Sequence, residues 1–195
     1  MGRRLAIWVL RLRGWRLAGR APDVPKYVVV FGPHTCNWDW LLGMLAARGY
    51  GIRASWLGKQ SIFRWPIAGF LRRLGGIPVH RDHHEGIVGQ VVAAFAASDE
   101  MVLGLTPEGT RSPTPYWKSG FYRMARAAGV PIVVAAIDGP GRRITLGPAV
   151  FPTGNVHRDM DRVRAFYAGT RGIHPERAST VRLREEDAPS GEPPG

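Results

Sequence analysis

Apolar positions fall along this chain in two alternating rhythms. Residues 3–18 carry Leu5, Trp8, Val9, Leu12 and Trp15 at three- and four-residue intervals, the spacing of an amphipathic helix. After Pro22 and Pro25, residues 26–31 are a short run with consecutive valines, which predicts a buried strand. From there the pattern switches repeatedly: helix over 38–48, strand over 52–57, helix over 62–74 in spite of Pro66, strand over 76–79, helix over 86–97 and strand over 101–105. A loop rich in Pro and Thr follows, then a helix at 120–128, a strand at 131–137 and a further candidate strand at 142–146. The last helix, 155–168, puts Met160, Val163, Phe166 and Tyr167 on its inner face.

Strands that alternate with helices pair in parallel through right-handed crossovers. The expected fold is therefore α/β: a single domain with a largely parallel central sheet flanked by helices, plus an N-terminal amphipathic helix. That divides the chain into the helix at 1–20, the folded domain at 21–184 and a disordered acidic tail at 185–195, which has no core-forming residue. No internal repeat is visible.

Charge changes the picture. Lys and Arg number 27 against 15 acids, a net +12, and only Lys26, Lys59 and Lys118 are lysines. Such a surface favours an anionic partner: nucleic acid, acidic lipid headgroups, a phosphorylated substrate or an acidic carrier protein. The first twenty residues hold six arginines and no acid. Two readings of that helix stand: an interfacial helix with Trp and Leu in the acyl boundary and Arg on the phosphates, or a helix packed on its own domain with a solvated basic face. No stretch approaches the roughly 18–20 apolar residues of a membrane span. The six apolar residues 5–10 fall short of the about 7–15 of a secretory signal. Cys36 is the only cysteine, so no internal disulfide can form and a reducing compartment is the natural reading. A cytoplasmic protein is expected.

Active sites of parallel sheets form beyond the carboxyl ends of the strands. Three polar clusters sit there: Pro33-His34-Thr35-Cys36-Asn37-Trp38-Asp39, His80-Arg81-Asp82 and Pro107-Glu108-Gly109-Thr110-Arg111-Ser112. Residues five apart on a continuous helix point about 140° away from each other. His34 and Asp39 can therefore meet only across a turn, which Pro33 and an Asn37 helix cap would supply. The Asp39 carboxylate could then fix the His34 tautomer and leave the other ring nitrogen to take a proton.

The pattern His34-x4-Asp39, followed some seventy residues later by Pro-Glu-Gly-Thr-Arg, resembles the glycerol-phosphate/lysophospholipid acyltransferase family. Two further blocks align in order: residues 75–81 (Gly-Gly-Ile-Pro-Val-His-Arg) and 130–133 (Val-Pro-Ile-Val). The resemblance covers about residues 26–170 and implies an O-acyltransferase of the 1-acylglycerol-3-phosphate type, in a short form without membrane spans. It implies His34 as general base and Asp39 as its orienting acid. Glu108, Gly109, Thr110 and Arg111 would shape the acceptor site, Arg81 would hold the acceptor's phosphate, and Lys118 would add a further positive charge. The acyl donor would be a thioester of coenzyme A or of acyl-carrier protein, with no cofactor and no metal. An anionic membrane surface, on the inner face of the membrane, would be the partner, and nucleic acid would not.

Three departures stand out. Cys36 replaces a common Ser, His80 replaces an Asp before the Arg, and Thr106 replaces an aromatic residue before Pro-Glu-Gly-Thr-Arg. Acyl transfer from a thioester to a hydroxyl needs a base within reach of that hydroxyl and donors for the oxyanion. No covalent acyl-enzyme is required, and no Gly-x-Ser-x-Gly elbow is present. Three rival readings of these residues stand. Residues 80–85 (His-Arg-Asp-His-His-Glu) would bind a metal if they were helical. Cys36 with His34 would make a thioester or lipid hydrolase. The charge alone would suit a nucleic-acid binder, although no helix-turn-helix, zinc-ligand spacing or RNA-binding signature is present.

Overall fold

The N-terminal helix stops earlier than its apolar spacing predicts. In a computed structural model, which describes residues 2–80 and 86–187, α1 spans Arg3–Leu12. Gly14 follows in the left-handed region at φ 75°, the Trp15 N–H donates to the Leu10 carbonyl, and the Gly14 N–H donates to that of Arg11. These are the paired bonds of a Schellman stop. The chain then enters a strand, β1 (Arg16–Ala18), where the apolar spacing continues a helix.

β2 (Lys26–Gly32), α2 (Asn37–Tyr50) and β3 (Ala54–Lys59) come next. The helix expected over 62–74 is broken. A 3-10 turn at Gln60–Ile62 is followed by a bend and then by α3 (Ala68–Arg73). Pro66 has no N–H to donate, and its ring disfavours a helical residue before it, so one continuous helix cannot form. β4 (Gly76–Val79), α4 (Gly86–Ala96), β5 (Met101–Leu105), α5 (Gly120–Ala127) and β6 (Ile132–Asp138) lie close to their expected positions. β7 runs Arg143–Val150, longer than the candidate at 142–146, and α6 spans Val156–Tyr167.

One seven-stranded sheet results, in the order β1-β7-β6-β2-β5-β3-β4. Every pairing is parallel except β6 with β7, which is antiparallel. The connections β2→β3 and β3→β4 run in one direction along the sheet, while β4→β5 and β5→β6 run back. Right-handed crossovers therefore put α2 and α3 on one face and α4 and α5 on the other. Alternate residues of β2 serve the two sides. Val28 and Val30 pack in the large core with Val91, Phe121 and Val163 of α4, α5 and α6. Tyr27, Val29 and Phe31 face α2.

α1 lies against α2: Leu10 is buried beside Ala46, and the Arg3 Nε donates to the Gly49 carbonyl at 2.9 Å. Its opposite side leaves Leu5, Trp8 and Leu12 exposed, so the helix packs with one stripe and presents another. At the other end the chain stays ordered three residues into the expected tail. Residues Arg184–Asp187 form a 3-10 turn in which the buried Glu186 carboxylate accepts the Leu183 N–H at 2.7 Å and pairs with Arg164 at 2.8 Å. The remainder of that tail, 188–195, lies outside the described residues.

Candidate active site

The turn between β2 and α2 is built around one carboxylate. Asp39, in the first turn of α2, is fully buried. Its Oδ2 accepts the backbone N–H of Thr35 at 2.5 Å and that of Cys36 at 2.7 Å. Cys36, not Asn37, is the residue that caps the helix, with extended backbone at φ −157° and ψ 172°. Folding 33–36 back in this way solves the angular problem of a five-residue spacing. The His34 Nδ1 lies 3.4 Å from the same Asp39 Oδ2. Nδ1 is buried and makes no properly aligned hydrogen bond among the described residues. The pair is thus a close polar contact, long for a hydrogen bond, as resting catalytic pairs often are. Burial pushes the Asp39 carboxyl up, but contacts from His34, the Cys36 and Thr35 amides and the Cys36 thiol outweigh it. The group is held below the ordinary carboxylate range and so stays ionised.

The loop after β5 meets this turn at two points. Glu108 is 2% exposed, and both its carboxylate oxygens accept the His34 backbone N–H, at 3.1 and 3.0 Å. Arg111, at the surface, reaches across to donate from Nη1 to the side-chain oxygen of Asn37. Asn37 is free to take this bond because Cys36 has the capping position. Gly109 turns the loop at φ 63°, and a Cβ there would lie 2.7 Å from the Lys118 Nζ. Lys118 is drawn in by its own N–H, which donates to the Pro107 carbonyl at 2.8 Å. Thr110 makes a local turn, its hydroxyl accepting the Ser112 N–H at 3.3 Å.

Six of the expected site residues besides His34 and Asp39 were named from sequence, and five of them fall in this cluster. Glu108 sits beneath His34 as a buried support, while Gly109, Thr110, Arg111 and Lys118 form the neighbouring loop. Arg81 lies outside the described residues, as does most of the histidine-rich segment 80–85 proposed as a metal rival. His80 itself exchanges two backbone hydrogen bonds with the Gln90 carboxamide, at 3.0 and 2.7 Å.

The Cys36 thiol is engaged by Asp39. Its Sγ lies 3.5 Å from the Asp39 Oδ1 as a donor. Burial and the Asp39 charge together push the thiol up, away from the thiolate that attack requires.

A cavity of about 740 Å³ opens between α2 and the β3 side of the sheet. Its walls include Phe31, Trp40, Ala47, Trp56 and Leu57, and it reaches the loop above through Thr106, Gly109 and Lys118. That volume lies within the about 300–1,000 Å³ of small-molecule sites. The sequence reading missed it. The available signal was the set of small residues on α2, Gly43, Ala46 and Ala47, which leave room beside the sheet.

The family model named Acyltransferase matches residues 20–138, which hold the turn, the loop and the strands that carry them. The chain belongs to the acyltransferase family. No protein among the curated sequences matches it. Among solved structures it is similar to the 1-acyl-sn-glycerophosphate (LPA) acyltransferase PlsC from Thermotoga maritima. The TM-score is 0.57 at 15% identity, over 88% of this chain and 76% of that one. At that identity the likeness is one of fold. Among the described residues of this acyltransferase, no helix is long and apolar enough to cross a membrane.

Proposed function

We propose that this acyltransferase moves a fatty acyl group from a thioester donor to the hydroxyl of a lysophospholipid or a related phosphate-bearing acceptor. The observation that carries the reading is the His34–Asp39 contact, 3.4 Å between Nδ1 and Oδ2, on a turn that both Asp39 and Glu108 hold rigid.

In this reading Asp39, ionised and anchored by two amides, keeps the Nδ1 side of the ring protonated and leaves Nε2 to accept a proton. The acceptor hydroxyl gives its proton to Nε2 as its oxygen attacks the thioester carbonyl. The tetrahedral intermediate collapses with departure of the thiolate, which takes the proton back from the imidazolium. The protein stays covalently unchanged throughout. Such a base contributes about 10²–10⁴-fold.

Arg111 and Lys118 would draw a phosphate to the loop. The donor, a thioester of coenzyme A or acyl-carrier protein, would lodge its chain in the apolar cavity under α2. The outer stripe of α1, with Trp8 among arginines, would hold the protein to the anionic inner face of the membrane. That makes it a peripheral enzyme of phospholipid synthesis on the cytoplasmic side. No cofactor or metal takes part in this scheme.

The test is a panel of hydroxyl acceptors, with and without phosphate, offered with one fatty-acyl thioester. Thiol release and the mass of the acylated product are followed together. A phosphate-bearing lysolipid should be the best acceptor. Preference for a neutral alcohol would remove phosphate recognition from the scheme. Thiol release with no acylated product would mean hydrolysis instead.

A further inference from the structure

The large apolar side chains that this protein leaves in water are not scattered. Among the described residues, ten of them fall in three segments: Leu5, Trp8 and Leu12 on α1; Trp38, Trp40 and Leu41 at the start of α2; and Ile62, Trp65, Ile67 and Phe70 around α3. Single exposed apolar residues need no explanation, but a cluster of this size does. Trp65 is 92% exposed, which no folded core requires and no neighbour relieves.

The three segments lie on one side of the sheet. α1 packs on α2, and the right-handed crossovers put α3 on the same face as α2. Contacts agree with this. Phe63 and Ile62 crowd Gly58 of β3, and Trp56 of the same strand face donates from Nε1 to the Leu74 carbonyl at 3.1 Å. Gly58, Trp56 and Trp40 all line the apolar cavity, so its rim runs between the start of α2 and the segment before α3.

Charge identifies the occupant. No acid occurs between Asp39 and Asp82, while that stretch holds Arg48, Arg53, Lys59, Arg64, Arg72 and Arg73. The first twenty residues likewise have arginines and no acid. Exposed Trp and Phe among uncompensated basic residues match the interface of an anionic bilayer, where aromatic rings sit at headgroup level and long basic side chains reach the phosphates.

We propose that residues 60–73 form a second membrane contact, independent of α1, and that the two contacts together turn the rim of the cavity toward an anionic phospholipid surface. A hydrocarbon chain then passes between bilayer and cavity without crossing water. One short helix anchors only weakly, whereas two contacts on one rigid body add their energies and also fix its orientation. The inference rests on the reading of the chain as an enzyme of membrane lipids.

The experiment uses the full chain and phosphatidylglycerol–phosphatidylcholine vesicles. Two double variants are compared with wild type: Trp65→Ser with Phe70→Ser, and Arg72→Gln with Arg73→Gln. A third, Trp8→Ser with Leu12→Ser, reports on α1. The first should lower vesicle affinity at least about tenfold. The second should lower it on anionic vesicles only, with an effect that shrinks at high salt. Turnover of a short-chain lysophospholipid dispersed as monomers should stay within about twofold for both, while turnover of vesicle-borne acceptor falls.

Unchanged vesicle affinity in the first two variants, with loss only in the α1 variant, would overturn the proposal. So would intact affinity with lost turnover on the monomeric acceptor, since the segment would then serve the reaction. A fall in affinity as expected, in a protein that acylates no lipid acceptor, would leave the docking surface standing and sink the substrate assignment instead.

Discussion

Glu108, seventy-four residues beyond His34 in the chain, accepts that residue's backbone N–H with both of its carboxylate oxygens. His34 is therefore held by two acids in two ways: Asp39 faces the imidazole, and Glu108 grips the main chain from below. Glu108 is 2% exposed, so it holds the turn from inside the fold. In the proposed scheme it is a positioning residue. Glu108→Ala would leave a partly buried amide unpaired, at a cost of about 1–3 kcal/mol in stability. It should also lower kcat more than it raises KM. Glu108→Gln keeps an acceptor in place and should recover most of the loss. Equal defects in the two variants would show that charge, not the hydrogen bond, is what matters there.

The same residue makes stability depend on pH. Burial pushes the Glu108 carboxyl up, against the opposing effect of the His34 amide and ring. A raised native pKa means the folded state holds a proton that the unfolded chain has already lost. Between the ordinary glutamate value and the native one, stability falls as pH rises. Glu108→Gln removes this dependence. Urea unfolding from about pH 4 to pH 7 should show the variant gaining on the wild type as pH increases. Parallel curves would place Glu108 in a more solvated setting than the structure gives it.

His34→Ala should lose about 10²–10⁴ in turnover with the fold retained. Asp39→Asn is expected to cost more than its effect on the ring. The carboxylate also collects the Thr35 and Cys36 amides, so the substitution weakens the cap by about 0.5–2 kcal/mol. Unfolding midpoints measured beside kcat separate the two contributions. A folded His34→Ala that turns over near the wild-type rate would end the assignment of the base.

Cys36→Ser should retain more than about a tenth of wild-type turnover, a change below ~1.4 kcal/mol in the barrier. The hydroxyl can donate to Asp39 Oδ1 as the thiol does, and it caps a helix better. A thousandfold loss, with an acyl group trapped on the wild-type sulfur, would convert the mechanism to a covalent one.

Ala47→Leu tests the cavity. Residue 47 lines its wall from α2, and leucine is nearly as good a helix former as alanine, so the added carbons go into the space and not into strain. Long acyl donors should lose about 0.8 kcal/mol for each methylene that no longer enters, while short donors keep their kcat/KM. A uniform loss across chain lengths would locate the acyl chain elsewhere.

Most of the sheet was legible because its strands are short, mostly apolar runs set between helical patterns, and six of its seven strands overlap the expected segments. β1 was not legible. Its residues continue the apolar spacing of α1, and only the positive φ of Gly14 ends the helix before them. The break at Pro66 was written in the chain, yet the strong apolar pattern on either side outweighed it in the reading. His34 and Asp39 were readable as a pair once a turn was allowed between them. Their support was harder to see, because Glu108 reaches the His34 main chain, and a backbone amide leaves no mark in the sequence. The apolar cavity left even less, since an empty volume is defined by several elements that the chain brings together only on folding.

The two outermost strands are the shortest or nearly so, and both are poor templates for another chain. β1 has three residues, starting with Arg16 and followed closely by Arg20, while β4 has four, including Pro78, which has no amide hydrogen to offer on either side. Sheet edges of this kind resist strand-to-strand growth. If the protein gathers on a lipid surface as proposed, where two-dimensional crowding raises local concentration, that blunting would keep neighbours from fusing into extended sheets. Each molecule would then remain a separate particle there.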